Sequence, residues 1–182
     1  MRSRLVRVGL LSVVALVTVV AFTTLRPVAG FPALLAEEDE PEGGLIEQLG
    51  EQHVAVIHFP IALAVAAGLA ELLALISRRP AFAHAARFCI VIAALGAIAA
   101  VTTGWFEFGE QTEGAASVDR TLLIHRALGI SAGLVIVATA VLSEVGHIRR
   151  NRWVLLAYRI ALLAAVVLVT FTGYYGGKYV FG

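Results

Sequence analysis

The sequence predicts an all-α membrane protein, a four-transmembrane-helix bundle preceded by an N-terminal signal peptide or anchor helix. Three observations predict it. The chain of 182 residues is 59% hydrophobic and 15% charged, with a mean hydropathy of +0.88, well above the apolar share of soluble domains. Four apolar runs after residue 50 are each about 20 residues long, enough to cross a hydrocarbon layer of about 30 Å as a helix. The basic residues collect in two short segments between those runs, the sorting expected of cytoplasmic loops.

Taken in order, Arg2, Arg4 and Arg7 precede an apolar stretch from about Val8 to Phe22. A small-residue region follows, ending Val28-Ala29-Gly30 or Leu34-Leu35-Ala36. That is the layout of a signal peptide, placed over residues 1–36, or of an anchor helix if it is retained. Residues 37–52 read as an outer linker opening on the acidic run Glu37-Glu38-Asp39-Glu40. Residues 53–182 form the four-helix domain.

The spans read as about 54–76, 86–104, 121–144 and 153–173. Helices are required because an open strand would leave its backbone groups unpaired in lipid, and the runs lack the period-two alternation of barrel strands. Arg78, Arg79 and Arg87 follow the first span and Arg149, Arg150 and Arg152 follow the third, which places both turns inside. The segment from Trp105 to Arg120 carries Glu107, Glu110, Glu113 and Asp119 and is expected outside, with the mature N- and C-termini. Trp105, Phe106, Tyr174, Tyr175 and Tyr179 are expected at the outer interface and Trp153 at the inner one.

Net charge is only +1, and no basic patch suggests nucleic acid. Cys89 is the sole cysteine, so neither an internal disulfide nor a Cys-x-x-Cys-His attachment for covalent haem can exist. The sole methionine is Met1. Any haem would therefore be held by histidine.

A faint internal repeat is expected. Thr103-Gly104-Trp105-Phe106 closes the second span and Thr172-Gly173-Tyr174-Tyr175 the fourth, about 69 residues on; His58 and His125 stand about 67 apart. Two hairpins of like direction would then be related by an axis along the membrane normal.

His58 and His125 each enter a span about four residues below its outer boundary, a depth of about 6 Å at 1.5 Å per residue. Facing each other, they would suit a b-type haem, whose iron takes an imidazole from each side. Ala62 and Ala66 follow His58 at i+4 and i+8, and Gly129 and Gly133 follow His125 at the same spacings, two stripes on which a flat macrocycle could rest. The same stripes also suit close helix packing without a cofactor; after haem ligation, the next reading of the histidines is a structural polar pair, and then a non-haem metal or proton relay. His53, five residues before His58, cannot share its face and reads as an interfacial side chain. His84 and His147, near the inner side, make a possible second site. Glu71 and Arg159 are the deepest charges and, at similar depth, are expected to pair between the first and fourth spans.

At these residues the chain resembles the bacterial membrane family catalogued as domain of unknown function 2231. The resemblance rests on His53-x-x-x-x-His58-Phe59-Pro60-Ile61-Ala62-Leu63, on Gly104-Trp105, on His125, and on the closing Thr172-Gly173-x-x-Gly176-Gly177-Lys178-Tyr179-Val180-Phe181-Gly182. Val54 and Trp105 depart from the family's usual proline and acidic residue at those places. The resemblance implies a bacterial inner-membrane location. It also implies a redox context, because related domains are joined to cytochrome c or Rieske-type modules, and it supplies no established enzymatic activity.

The combined expectation is a b-type cytochrome-like electron carrier exchanging electrons with an external redox protein or quinone. The alternative is a scaffold or accessory subunit without a cofactor. A transporter finds little support in so few deep charges, and no nucleophile–base pair, metalloprotease motif or phosphate loop points to an independent enzyme.

Overall fold

The computed structural model describes Gly50 and residues 52–182; the expected signal or anchor over 1–36 and the acidic run after it lie outside the described residues. Four helices follow: α1 (His53–Ser77), α2 (Pro80–Thr112), α3 (Arg120–Arg149) and α4 (Arg152–Phe181). Each contains a stretch long and apolar enough to cross a membrane. No strand occurs among the described residues.

The helices outrun the apolar runs that announced them. α2 starts at Pro80 and continues to Thr112, so the connection read from Trp105 to Arg120 shrinks to residues 113–119. Hydropathy marks the part of a helix that lies in lipid, whereas i to i−4 hydrogen bonding continues into the interface. Proline is well suited to the first turn, where its missing N–H has no helical partner to lose. α4 likewise carries the glycine-rich closing segment to Phe181.

Chain turns are built the same way in both halves. α1 ends at Arg78 (φ 57°) and α3 at Arg150 (φ 49°), both left-handed, with their N–H groups donating to the carbonyls of Ala74 and Gly146. α2 and α4 then begin two residues later. Asp119 caps α3 by accepting from the N–H groups of Thr121 (2.6 Å) and Leu122 (3.2 Å), and Asn151 caps α4 by accepting from Trp153 (2.9 Å).

The hairpins repeat with an offset of 72 positions, as from Arg78 to Arg150. Buried residues obey it: Ala64 answers to Ile136, Ile90 to Leu162, Ala93 to Ala165 and Ala97 to Val169. The core is made largely of alanine, while Leu69, Phe88, Leu95, Ile160, Leu163 and Phe171 point outward. Small residues inside and large apolar residues outside are what a bundle needs when lipid solvates its surface and close backbone packing holds it together.

The expected ion pair forms. Arg159 Nε donates to Glu71 Oε1 at 2.8 Å, between α4 and α1, and the Tyr158 hydroxyl donates to Glu71 Oε2 at 3.4 Å. A second pair joins α2 to α3, where Arg87 forks onto Glu144 at 2.6 and 2.5 Å. Arg87 read as a loop cation in the sequence; it sits in α2, and its repeat partner 72 positions on is Arg159. Each hairpin thus sends one arginine to the other.

Candidate functional site

At the opposite end from these ion pairs, where α1 and α3 begin and α2 and α4 finish, the four helices enclose a cavity of about 490 Å³. Its walls are mainly apolar, with glycine from α2, α3 and α4 and three histidines, His53, His58 and His125.

His53 and His125 bring their rings together across the bundle. Their centroids are 6.4 Å apart with planes at 75°. Both side chains are half-buried. The reason that α1 presents His53 is its register. Its buried line runs Pro60, Ala64, Ala67, Glu71, and His53 lies seven residues before Pro60, close to two turns at about 3.6 residues per turn. His58 is only two residues before Pro60, on another side of the helix, where it is exposed and its Nδ1–H donates to the Val54 carbonyl at 2.5 Å. The ring that meets His125 is that of His53, while His58 borders the same cavity from another side of α1. Ala62 and Ala66 share the exposed side, so the stripe beneath His58 faces outward rather than into the cavity.

On α3 the expected register holds. Gly129 and Gly133 both line the cavity below His125. Gly133 is buried, and a Cβ there would lie 2.8 Å from Val101 Cγ2, so its small size sets the spacing between α2 and α3.

The two histidines are held by parallel devices from neighbouring helices. His53 Nδ1 lies 3.1 Å from Thr103 Oγ1, whose own hydroxyl points to the Ala99 and Ala100 carbonyls at 3.1 and 3.2 Å. Thr103 Oγ1 can meet His53 Nδ1 as donor or as acceptor. His125 Nδ1–H donates to the Thr172 carbonyl at 2.9 Å, an oxygen that can only accept. Both rings are thus anchored through Nδ1 to a neighbouring helix, and the His53 ring is also hydrogen-bonded to the backbone at Ala100.

Glycine makes room for each ring. A Cβ at Gly104 would stand 2.6 Å from His53 Cε1, and one at Gly176 would stand 2.9 Å from His125 Cε1. Gly176 follows Gly104 by the same 72 positions that separate His125 from His53. Each half of the chain contributes a histidine on its first helix and a glycine seat on its second.

Arg126 also borders the cavity. Its guanidinium lies 4.3 Å from the Trp105 ring centre and 3.9 Å from that of Phe108, both on α2. His84 and His147 are exposed toward the other end. No cluster of three or more His, Cys, Asp or Glu capable of holding a metal ion occurs among the described residues.

Sequence reasoning missed His53, Thr103, Gly104, Gly176 and Arg126 as parts of one site. A signal existed in the repeat. Aligning the two threonine-glycine pairs gives an offset of 69 and leaves the histidines unmatched, whereas 72 aligns His53 with His125 and Gly104 with Gly176.

The arrangement defines a multi-span membrane bundle with a two-histidine cavity at one end, built from two similar helical hairpins. The family described as "Predicted membrane protein (DUF2231)" matches residues 52–182. The chain belongs to that family. No curated protein and no solved structure matches it.

Proposed function

We propose that this protein is a membrane b-type cytochrome-like electron carrier in which His53 and His125 ligate one haem iron through their Nε2 atoms. The single observation carrying the reading is the matched anchoring of two rings that meet in the cavity: each Nδ1 is held by an oxygen of a neighbouring helix. A metal-bound histidine ordinarily donates its other ring N–H in this way, which fixes the tautomer and the ring plane.

Spacing supports it. Two imidazoles that each reach one metal ion through a bond of about 2.0 Å have ring centres within about 6 Å of each other. The centroids of His53 and His125 are 6.4 Å apart. These two residues would hold the iron, and a cavity of about 490 Å³ lies within the size range of cofactor sites. Bound haem would supply one-electron chemistry. The chain's residues would set its potential through the bonds of Thr103 and Thr172 to the imidazoles and through burial among apolar helices.

The histidine end would face outward, because the arginine-rich turns lie at the opposite end and favour the cytoplasmic side. Glu113 and Asp119 in the short connection would attract a basic redox partner such as a cytochrome c, and salt would weaken that attraction. A Rieske-type protein or a quinone is the other class of partner for the same site.

The test is spectroscopic. Protein purified from the membranes of haem-replete cells is expected to give oxidised and reduced visible spectra of six-coordinate haem. His53→Ala and His125→Ala should each abolish them, and His58→Ala should leave them intact. One observation favours a second reading as a cofactor-free scaffold: each ring is already packed on a glycine and hydrogen-bonded, as a helix-locking side chain would be. Colourless, folded protein from those cells would select the scaffold.

A further inference from the structure

The two halves of the cavity are alike in histidine, glycine seat and turn, but they differ in charge. The position after His125 is Arg126, and the position after His53 is Val54. Among the differences between the halves beside the rings, this one introduces a cation.

Arg126 is placed for more than packing. It lines the cavity that holds His125 and is half-buried, with aromatic rings 4.3 and 3.9 Å away. Those rings orient the guanidinium and attract its charge, but they accept no strong hydrogen bond from its N–H donors. Among the described residues the two ion pairs are taken by Arg87 and Arg159, and no carboxylate there pairs with Arg126. A guanidinium held at the edge of an apolar cavity, with its donors still to be satisfied, suits a planar oxyanion, which it can grip through two parallel N–H bonds.

We propose that Arg126 binds an ionised carboxylate of the molecule held between His53 and His125, and so selects one of the two orientations that the repeated halves would otherwise offer equally. This rests on the bis-histidine reading, and for haem the carboxylate is a propionate. Arg126 is thus a positioning and affinity residue; the imidazoles alone bind the iron.

Haem and its dimethyl ester, which lacks ionised carboxylates, separate the two ideas. Each is titrated into the full-length protein purified cofactor-free in neutral detergent, and binding is read from the Soret band. Wild type should bind the acid about tenfold or more tighter than the ester, the scale of a charge-assisted bond. In Arg126→Gln the acid should weaken by a similar factor while the ester is unchanged, so that the preference disappears. A purely structural arginine would not distinguish acid from ester in the unaltered protein, so this comparison does not depend on the variant's folding.

Equal binding of acid and ester by wild type, with a normal bis-imidazole spectrum, overturns the inference and leaves the haem reading standing. Failure of wild type to bind either form overturns both. Repeating the titration with phosphatidylglycerol present identifies the other source of an oxyanion: a preference that vanishes there assigns Arg126 to lipid phosphate and overturns the proposal.

Discussion

The two ends of this bundle use one plan and reach opposite chemical states. At the arginine end, Arg87 and Arg159 cross between hairpins and are met by Glu144 and Glu71. Donors and acceptors there satisfy one another. At the histidine end, His53 and His125 also meet between hairpins, but their Nδ1 bonds run to Thr103 and Thr172 rather than to each other. The first end is closed by opposite charges, and the second brings two like groups together beside a cavity. Symmetry alone therefore does not set the chemistry of an end; what matters is which polar atoms the fold pairs.

The sharpest way to break this comparison is to remove Glu71. Its side chain is only 9% exposed, and breaking a buried pair by deleting one partner costs about 3 to 5 kcal/mol. Glu71→Ala should accordingly lower stability in detergent unfolding more than any other single change at that end. Glu144→Ala should cost less, about 1 kcal/mol, because that pair is 35% and 38% exposed and exposed pairs contribute little. Neither change should alter ligand binding at the histidine end. A large loss of haem spectrum in Glu71→Ala protein that remains folded would mean the two ends are coupled.

At the histidine end the corresponding change is Gly104→Ala. The added Cβ would sit 2.6 Å from His53 Cε1, so ring or helix must shift, and overpacking of this kind costs about 1 to 3 kcal/mol. Gly176→Ala should act in the same direction on His125, where the approach is 2.9 Å. Both variants should weaken haem binding in titrations. A substitution at Gly109, where a Cβ would meet nothing within 4 Å, is the matched control.

A smaller effect is expected at Asp119. The N–H groups of Leu122 and Thr121 hold its carboxyl below the ordinary carboxylate range. Such a group stabilises the fold above its unfolded pKa, and the contribution is lost as pH falls through the lower folded value. Wild type should therefore exceed Asp119→Ala in thermal stability at neutral pH, and the two should converge under acid conditions. A gap that widens as pH falls would contradict the cap. Least affected should be Ala62→Leu and Ala66→Leu, both on the exposed side of α1; stability changes within about 0.5 kcal/mol would confirm that this stripe faces lipid.

Much of the fold was legible because hydropathy reports directly on lipid. The four spans, the turns at the arginines and the Glu71–Arg159 pair all followed from run length and the cost of a lone charge in the bilayer. Helix ends were less legible, since α2 and α4 continue past their apolar cores. The site was half legible. His125, Gly129 and Gly133 line the cavity as their spacing suggested, and His58 borders it too, whereas Ala62 and Ala66 are exposed and the ring that meets His125 is that of His53. An alanine-rich helix is apolar all round, so its composition does not say which side faces protein. The buried line through Pro60, Ala64, Ala67 and Glu71 does, and it turns His53 inward.

By itself, then, the sequence determined a membrane-spanning helical bundle, its approximate spans and the partner of its deepest charge, because the low dielectric of lipid allows few alternatives to each. Only the tertiary structure decided which histidine faces His125, where glycine must be absent of a side chain, and which arginine stands beside the rings. Those are relations between helices, set by the rotation and register at which close-packed alanine and glycine surfaces meet, and no single helix encodes them.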